Sequence, residues 1–285
     1  ATMLSAPLAT CSARLPVYVL LVGILVPAGS SLGPVSVRGL VLFGMYLLGA
    51  LSAMLAARVV KKITDRSGTL LPFYMEMPPY RIPTPRSVGM AMWEPTKAFL
   101  RKAGTIIMGA TIVIWALTTF PLRSDAEMTA AGVDPSDEVA ATAYNMEHSA
   151  AAKVGKAIEP VFAPQGFDWR VNISLIGSMA AREVAVSTLG QVASASDPED
   201  DVSVSESVQK WTYTDGPHQG EKVFTPDTTI AMLIFFAFAL QCVATIGILK
   251  RESGGWKWPA IAFGYMFVLA WVGSSLAAII TRVVM

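Results

Sequence analysis

Apolar residues along the chain fall in runs close to twenty long, and the polar stretches between them carry most of the charge. About twenty helical residues cross the hydrocarbon core of a bilayer, so this pattern predicts membrane spans rather than a soluble core. Residues 15–27 (LPVYVLLVGILVP) are short for a span and need length from the segment before them. Residues 35–57, 103–121, 228–249 and 258–283 are each long enough alone. Residues 170–195 are long enough too, but they hold Arg182 and Glu183 near the middle among small and hydroxyl side chains.

Loop charge decides how that last segment is read. The stretch after Ala57 holds Arg58, Lys61, Lys62 and Arg66, and the one after Leu249 holds Lys250, Arg251 and Lys257. Cytoplasmic loops carry the excess of lysine and arginine, which places both on the same side. Segments 122–168 and 196–226 are acidic instead. A single crossing by 170–195 would put the basic loop at 250 outside, so we expect a re-entrant or broken pair of half-helices there. Interrupted helices at membrane depth are tolerated where protein or water covers them, and this implies a cavity. Between the second and third spans, Pro72, Pro78, Pro79, Pro83 and Pro85 forbid a helix. From Ser87 to Lys102 the pattern predicts an amphipathic helix in the membrane interface, interrupted near Pro95.

Composition supports the membrane reading: of 285 residues 53% are hydrophobic and 15% charged, with a mean hydropathy of +0.50. A net charge of +1 gives no footprint for nucleic acid. Two cysteines do not make a disulfide framework, and a single bridge between them stays open. The N-terminus lacks the charged region and cleavage site of a signal peptide and reads as cut from a longer polypeptide. No GxxxxGK[ST], GxSxG, HExxH or CxxC motif is present, which leaves enzyme readings without support.

Candidate chemistry lies inside the apolar segments. Cys11 stands between Pro7 and Pro16, so an uninterrupted helix is excluded and some carbonyls there lack intrahelical partners. A soft thiol beside hard carbonyls suits a borderline divalent transition metal; the alternative is a small buried hydrophobe. Gln241, Cys242 and Thr245 are expected to form a polar stripe on one face of the 228–249 helix, for substrate or for a neighbouring helix. "CSARLPVYVLLVGIL" and "CVATIGILKRES" each set cysteine two residues before alanine, an echo of an internal repeat. Arg182 and Glu183 are ionisable groups at membrane depth, where such groups face a cavity or a partner. Glu183 is a candidate metal ligand or proton acceptor, with Arg182 bracing a carbonyl or an acid. Glu76, flanked by Met75 and Met77, is a candidate cation acceptor at the cytoplasmic mouth, with an exposed loop acid as the alternative. His148 and His218 show no metal-ligand spacing.

Six segments in order, CSARLPVY (11–18), MEMPPYRIPT (75–84), FLRKAGTIIMGATIVIW (99–115), APQGFDWR (163–170), AAREVAVSTLG (180–190) and CVATIGILKRESGGWKW (242–258), closely resemble the membrane region of the ferrous iron transporter B family. The resemblance implies an all-α polytopic bundle of the bacterial inner membrane, with two cysteine-bearing gate regions set as an inverted repeat. It divides the chain into a first gate region (1–57), a cytoplasmic connector with the interfacial helix (58–102), a core segment (103–195), a polar loop (196–226) and a second gate region (227–285). Cys11 then belongs to the first gate, Cys242 to the second, and Glu183 to the core, while Ser12, Arg14, Arg182, Gln241 and Thr245 are gating or structural polar positions. Fe2+ is implied as transported substrate and the lipid bilayer as surroundings. No GTP site is expected in these residues; the family's GTP-binding domain is expected in a missing N-terminal part or another chain. A homo-oligomer stays open. Two rivals remain: a non-transporting assembly or regulatory fragment, and a permease for an organic solute such as a nucleoside.

Overall fold

The computed structural model describes residues 2–27, 29–64, 83–121, 124–134, 136, 138–180, 182, 184–196, 204–214 and 218–284. Glu76 and Glu183 lie outside the described residues, as does most of the proline-rich connector. Helices dominate the described residues, beside one antiparallel hairpin of two-residue strands and an isolated bridge between Thr212 and Lys222.

Helix α1 (Thr2–Ser5) runs into a 3-10 turn at Ala6–Leu8, and a second such turn at Ser12–Arg14 leads into α2 (Leu15–Leu25). Strands β1 (Ser31–Leu32) and β2 (Val35–Ser36) pair antiparallel and deliver the chain to α3 (Val37–Thr64). Arg38, in the first turn of α3, donates from Nε to the Val26 carbonyl at 3.0 Å and from Nη2 to the Gly23 carbonyl at 3.3 Å. Carbonyls at a helix end carry partial negative charge and lack intrahelical donors, so the guanidinium ties the end of α2 to the start of α3.

Helix α4 (Pro85–Thr119) starts with the Thr84 hydroxyl accepting from the Ser87 amide at 3.3 Å and proline in the first turn. Here the structure corrects the sequence reading: the interfacial helix and the predicted span 103–121 are one continuous helix. Proline removes one backbone donor, but the backbone on both sides of position 95 stays helical, so the chain does not stop there.

Helix α5 (Asp125–Ala130) opens with a reciprocal Ser124–Glu127 cap. Helices α6 (Glu138–Glu147) and α7 (Ala150–Phe162) follow, then a 3-10 turn at Ala163–Gln165, α8 (Trp169–Ala180), α9 (Val184–Ser196) and the short α10 (Val204–Gln209). Helices α11 (Pro226–Phe238), α12 (Val243–Ser253) and α13 (Lys257–Val284) complete the chain. Four described segments are long and apolar enough to cross a membrane: Thr2–Leu25, Val37–Ile63, Pro226–Ser253 and Lys257–Val284. The protein is therefore a multi-pass, all-α membrane protein. The first and third of these segments are interrupted, and in the third this overturns the single helix expected over 228–249.

The core gathers Tyr18, Leu21, Phe167, Met232 and Phe236, all essentially inaccessible, where α2, α8, α11 and α13 pack. Outward-facing Phe43, Met54 and Leu55 on α3 and Val268 and Ile280 on α13 are exposed, as expected of a surface that meets lipid tails. Helix α7 comes so close to α8 that a Cβ at Gly155 would lie 2.6 Å from the Trp169 carbonyl oxygen. Backbone cannot yield as a flexible side chain does, so Gly155→Ala is expected to cost about 1–3 kcal/mol. A lowered thermal midpoint in detergent would show it.

The ends of α8 and α10 are joined by a buried ionic cluster. Asp168 accepts from Arg170 Nε at 2.7 Å and from the Val171 amide at 2.9 Å. The Arg170 guanidinium also donates to the Thr212 carbonyl and lies 4.8 Å from the centre of the Trp211 ring. Nearby, Tyr213 donates to the Gly166 carbonyl at 2.6 Å. Burial, reinforced by the Asp168 carboxylate, pushes its phenol up to about 12.

Candidate functional site

Two helical segments break in the same way. In the first, Ala9 leaves the preceding turn with ψ 136° and Cys11, at φ −102° and ψ 164°, stands extended immediately before the Ser12–Arg14 turn. In the second, Ala239 leaves α11 with ψ 138° and Cys242, at φ −154° and ψ 106°, stands extended immediately before α12. Each break therefore holds an alanine at the end of one half and a cysteine at the start of the next. The two thiols are free, so no disulfide joins them, and Cys11 is exposed while Cys242 is partly covered.

A broken helix leaves carbonyls without intrahelical donors, and at membrane depth each must find one. In the first break the donor is Arg14, fully buried, which reaches the Leu8 carbonyl at 3.1 Å and the Pro7 carbonyl at 3.3 Å. Carbonyls that the sequence leaves open for a cation are thus already held by a guanidinium. In the second break the donor comes from elsewhere in the chain. Arg182 donates from Nη2 to the Ala239 carbonyl at 3.0 Å. From Nη1 it faces the Cys11 sulfur at 3.8 Å, so one side chain touches both breaks.

Arg182 is itself at an interruption, between α8 and α9. The Ser174 hydroxyl donates to the Ala185 carbonyl at 3.1 Å, eleven residues along. A straight helix would separate such residues by about 16 Å, so the chain folds back on itself. The close helical pair places Thr188 and Val184 against Gly177. Arg182 thus occupies the turn of a hairpin rather than one face of a helix. Arg182 is 4% exposed, and its Nε has no hydrogen-bond partner among the described residues.

Of the other positions, Ser12 is exposed in the turn after Cys11. Gln241 and Cys242 lie in the extended link, with only Thr245 on the following helix, so the three do not form a stripe on one helical face. Gln241 is 4% exposed, and its Oε1 accepts no hydrogen bond among the described residues. Sequence reasoning missed the second break because "AFALQCVA" contains no proline or glycine. Among the described residues no three histidine, cysteine or acidic side chains come together as a metal cage would require. The site is a junction of three interruptions joined by one buried cation.

A family pattern described as nucleoside recognition matches residues 100–256, which includes the α8–α9 hairpin and the second break. The pattern for the ferrous iron transport protein B C terminus matches residues 42–94. Among full-length relatives, the chain is 39% identical over 292 residues to an Fe(2+) transport protein A/Fe(2+) transporter FeoB fusion protein of Porphyromonas gingivalis, covering 96% of this chain and 33% of that protein. It is 37% identical over 270 residues to an Fe(2+) transporter FeoB of Leptospira interrogans, covering 95% of this chain and 37% of the relative. With that of Helicobacter pylori it shares 32% over 293 residues, covering 96% and 42%. The chain thus spans about a third to two-fifths of the length of these relatives. No solved structure matches it.

Proposed function

For this chain, which belongs to the nucleoside-recognition gate family and within it to the ferrous iron transport protein B line, we propose a role as the part of an inner-membrane permease through which Fe2+ crosses. The relatives are named as Fe(2+) transporters, and the apolar segments supply a multi-pass body. The observation that carries the reading is the Arg182 guanidinium, which touches both cysteine-bearing breaks at once.

Ferrous iron accepts both soft sulfur and harder oxygen ligands, and a path must bind it weakly enough for release. The Cys11 and Cys242 thiols, the Ala239 carbonyl and the Gln241 amide oxygen offer such weak ligands in sequence. In the present arrangement the guanidinium already faces the Cys11 sulfur and holds the Ala239 carbonyl. A divalent cation and a guanidinium repel one another, so this is a closed state, and passage requires Arg182 to withdraw. Glu183, beside Arg182 in sequence, is a further ligand in this proposal, and Glu76 the acceptor at the cytoplasmic mouth. Nucleotide chemistry belongs to the longer relatives' additional length in this reading and is not assigned to these residues.

The test is anaerobic Fe2+ uptake into proteoliposomes. Cys11→Ser and Cys242→Ser are each expected to lower the initial rate about tenfold, the factor that a loss of 1.4 kcal/mol produces. Unchanged flux in both folded variants would overturn the ligand role. Protection of Cys11 from alkylation by Fe2+, but not by nucleosides, would separate iron transport from carriage of an organic solute.

A further inference from the structure

The two basic stretches of the sequence meet at one end of the bundle. Leu249 of α12 and Ala262 and Met266 of α13 share an apolar cluster with Ala56 and Val60 of α3, so the last turn of α3, with Lys61 and Lys62, lies at the same end as the turn between α12 and α13. That turn carries Lys250, Arg251 and Lys257. Arg251 is already paired with Glu252 at 3.1 Å, whereas Lys250 and Lys257 are exposed and have no acidic partner among the described residues. Lys250 Nζ stands 4.2 Å from the centre of the Trp256 ring, and Trp256 and Trp258 are themselves exposed. Indole rings collect at the level of lipid headgroups, where one edge is wet and the body apolar.

These features select an occupant. Two unpaired ammonium groups beside indole rings call for an anion at the membrane surface. Ile248 lies three residues before Arg251 and Ile261 four after Lys257, so each helix carries an exposed apolar side chain on the face of its cations. A free phosphate or an acidic peptide meets the charges and leaves both isoleucines uncovered. A phospholipid with a net negative headgroup meets all of them, its phosphate on the lysines and its acyl chains along the isoleucines.

We propose that the α12–α13 turn is a binding site for the headgroup of an anionic phospholipid, held by Lys250 and Lys257 with Trp256 and Trp258 beside the glycerol. The site is separate from the iron path, and its test requires no iron. Helix α12 buries Leu249 alone among its side chains, so its own packing holds it weakly. A headgroup shared between Lys250 at the end of α12 and Lys257 at the start of α13 ties the half-helix that follows Cys242 to its neighbour.

The test is photolabelling of the chain in phosphatidylcholine nanodiscs doped with a phosphatidylglycerol that carries a diazirine beside its glycerol ester, followed by peptide mapping. Label is expected to concentrate on the segment from Ile248 to Ile261, to be competed by unlabelled phosphatidylglycerol and to weaken as salt is raised. A basic side chain at an anionic surface is worth about fivefold, so Lys250→Gln with Lys257→Gln is expected to lower this labelling about 25-fold. Lys250→Arg with Lys257→Arg keeps the charge and is expected to retain the label, with the elution profile checking that each variant folds. Lys222→Gln, which removes an exposed charge outside the patch, is expected to change nothing. Label spread evenly over α3, α4 and α13, or lost equally in Lys222→Gln, would overturn the proposal. Competition by inorganic phosphate or polyglutamate as strong as that by phosphatidylglycerol would also overturn it, in favour of a free anion or an acidic polypeptide.

Discussion

Arg182→Gln is expected to raise the alkylation rates of Cys11 and Cys242 by roughly 10- to 100-fold, which is what a lost charged hydrogen bond of about 1.5–3 kcal/mol produces. The guanidinium reaches the Ala239 carbonyl at 3.0 Å and the Cys11 sulfur at 3.8 Å, so its removal frees one partner in each break. Glutamine is too short to span both, and it carries no charge to satisfy the buried carbonyl end. Arg182→Lys keeps the charge but replaces a rigid fork by a single ammonium, which can serve one partner at a time. It is expected to fall between wild type and glutamine. Rates measured with a membrane-permeant maleimide will decide: if both cysteines react as in wild type after either substitution, Arg182 does not latch the breaks. In the iron-transport reading the glutamine variant should also lose Fe2+ from preloaded vesicles faster than wild type.

Asp168→Ala is expected to give the largest loss of stability, about 3–5 kcal/mol, because it leaves a buried charge without its partner. The Asp168 side chain holds Arg170 at 2.7 Å and the Val171 amide in the first turn of α8 at 2.9 Å, and both side chains are almost wholly covered. Without the carboxylate, Arg170 keeps, among the described residues, the Thr212 carbonyl and the faces of Trp169 and Trp211. Asp168→Asn retains an acceptor for the Val171 amide and is expected to cost less. The check is the thermal midpoint of the purified chain in detergent, with an undiminished midpoint in the alanine variant counting against the cluster. The damage should spread along α8 to the Arg182 hairpin, so Cys11 accessibility ought to rise with the loss of stability.

These expectations rest on features that were unequally visible before the structure. Apolar runs pointed to segments long enough to cross a membrane, and four such segments stand among the described residues, because that property depends on length and composition alone. Pro7 and Pro16 pointed to an interruption about Cys11, because each removes a backbone donor, and the chain does break there although α4 runs on through Pro95. The charges at 182 and 183 together with the basic loops implied that 170–195 turns back, and Ser174 bonding Ala185 is that return. The order of the six motif segments carried the family. The Cys-x-Ala echo pointed to paired gate segments, but only the backbone at Ala9 and Cys11 and at Ala239 and Cys242 shows the two breaks alike in form.

The second break, the continuity of α4 through position 95 and the meeting of three interruptions at one guanidinium were decided by tertiary structure. A stretch such as "AFALQCVA" has no local reason to leave the helix, since every residue in it tolerates helical backbone. What opens it is a donor from a distant part of the chain, Arg182, which meets the Ala239 carbonyl fifty-seven residues away. A buried carbonyl is stable outside a helix only if something else bonds it, and the sequence does not say which side chain will stand there until the hairpin has folded. For the same reason the orphan oxygen of Gln241 became visible only once packing had fixed what surrounds it.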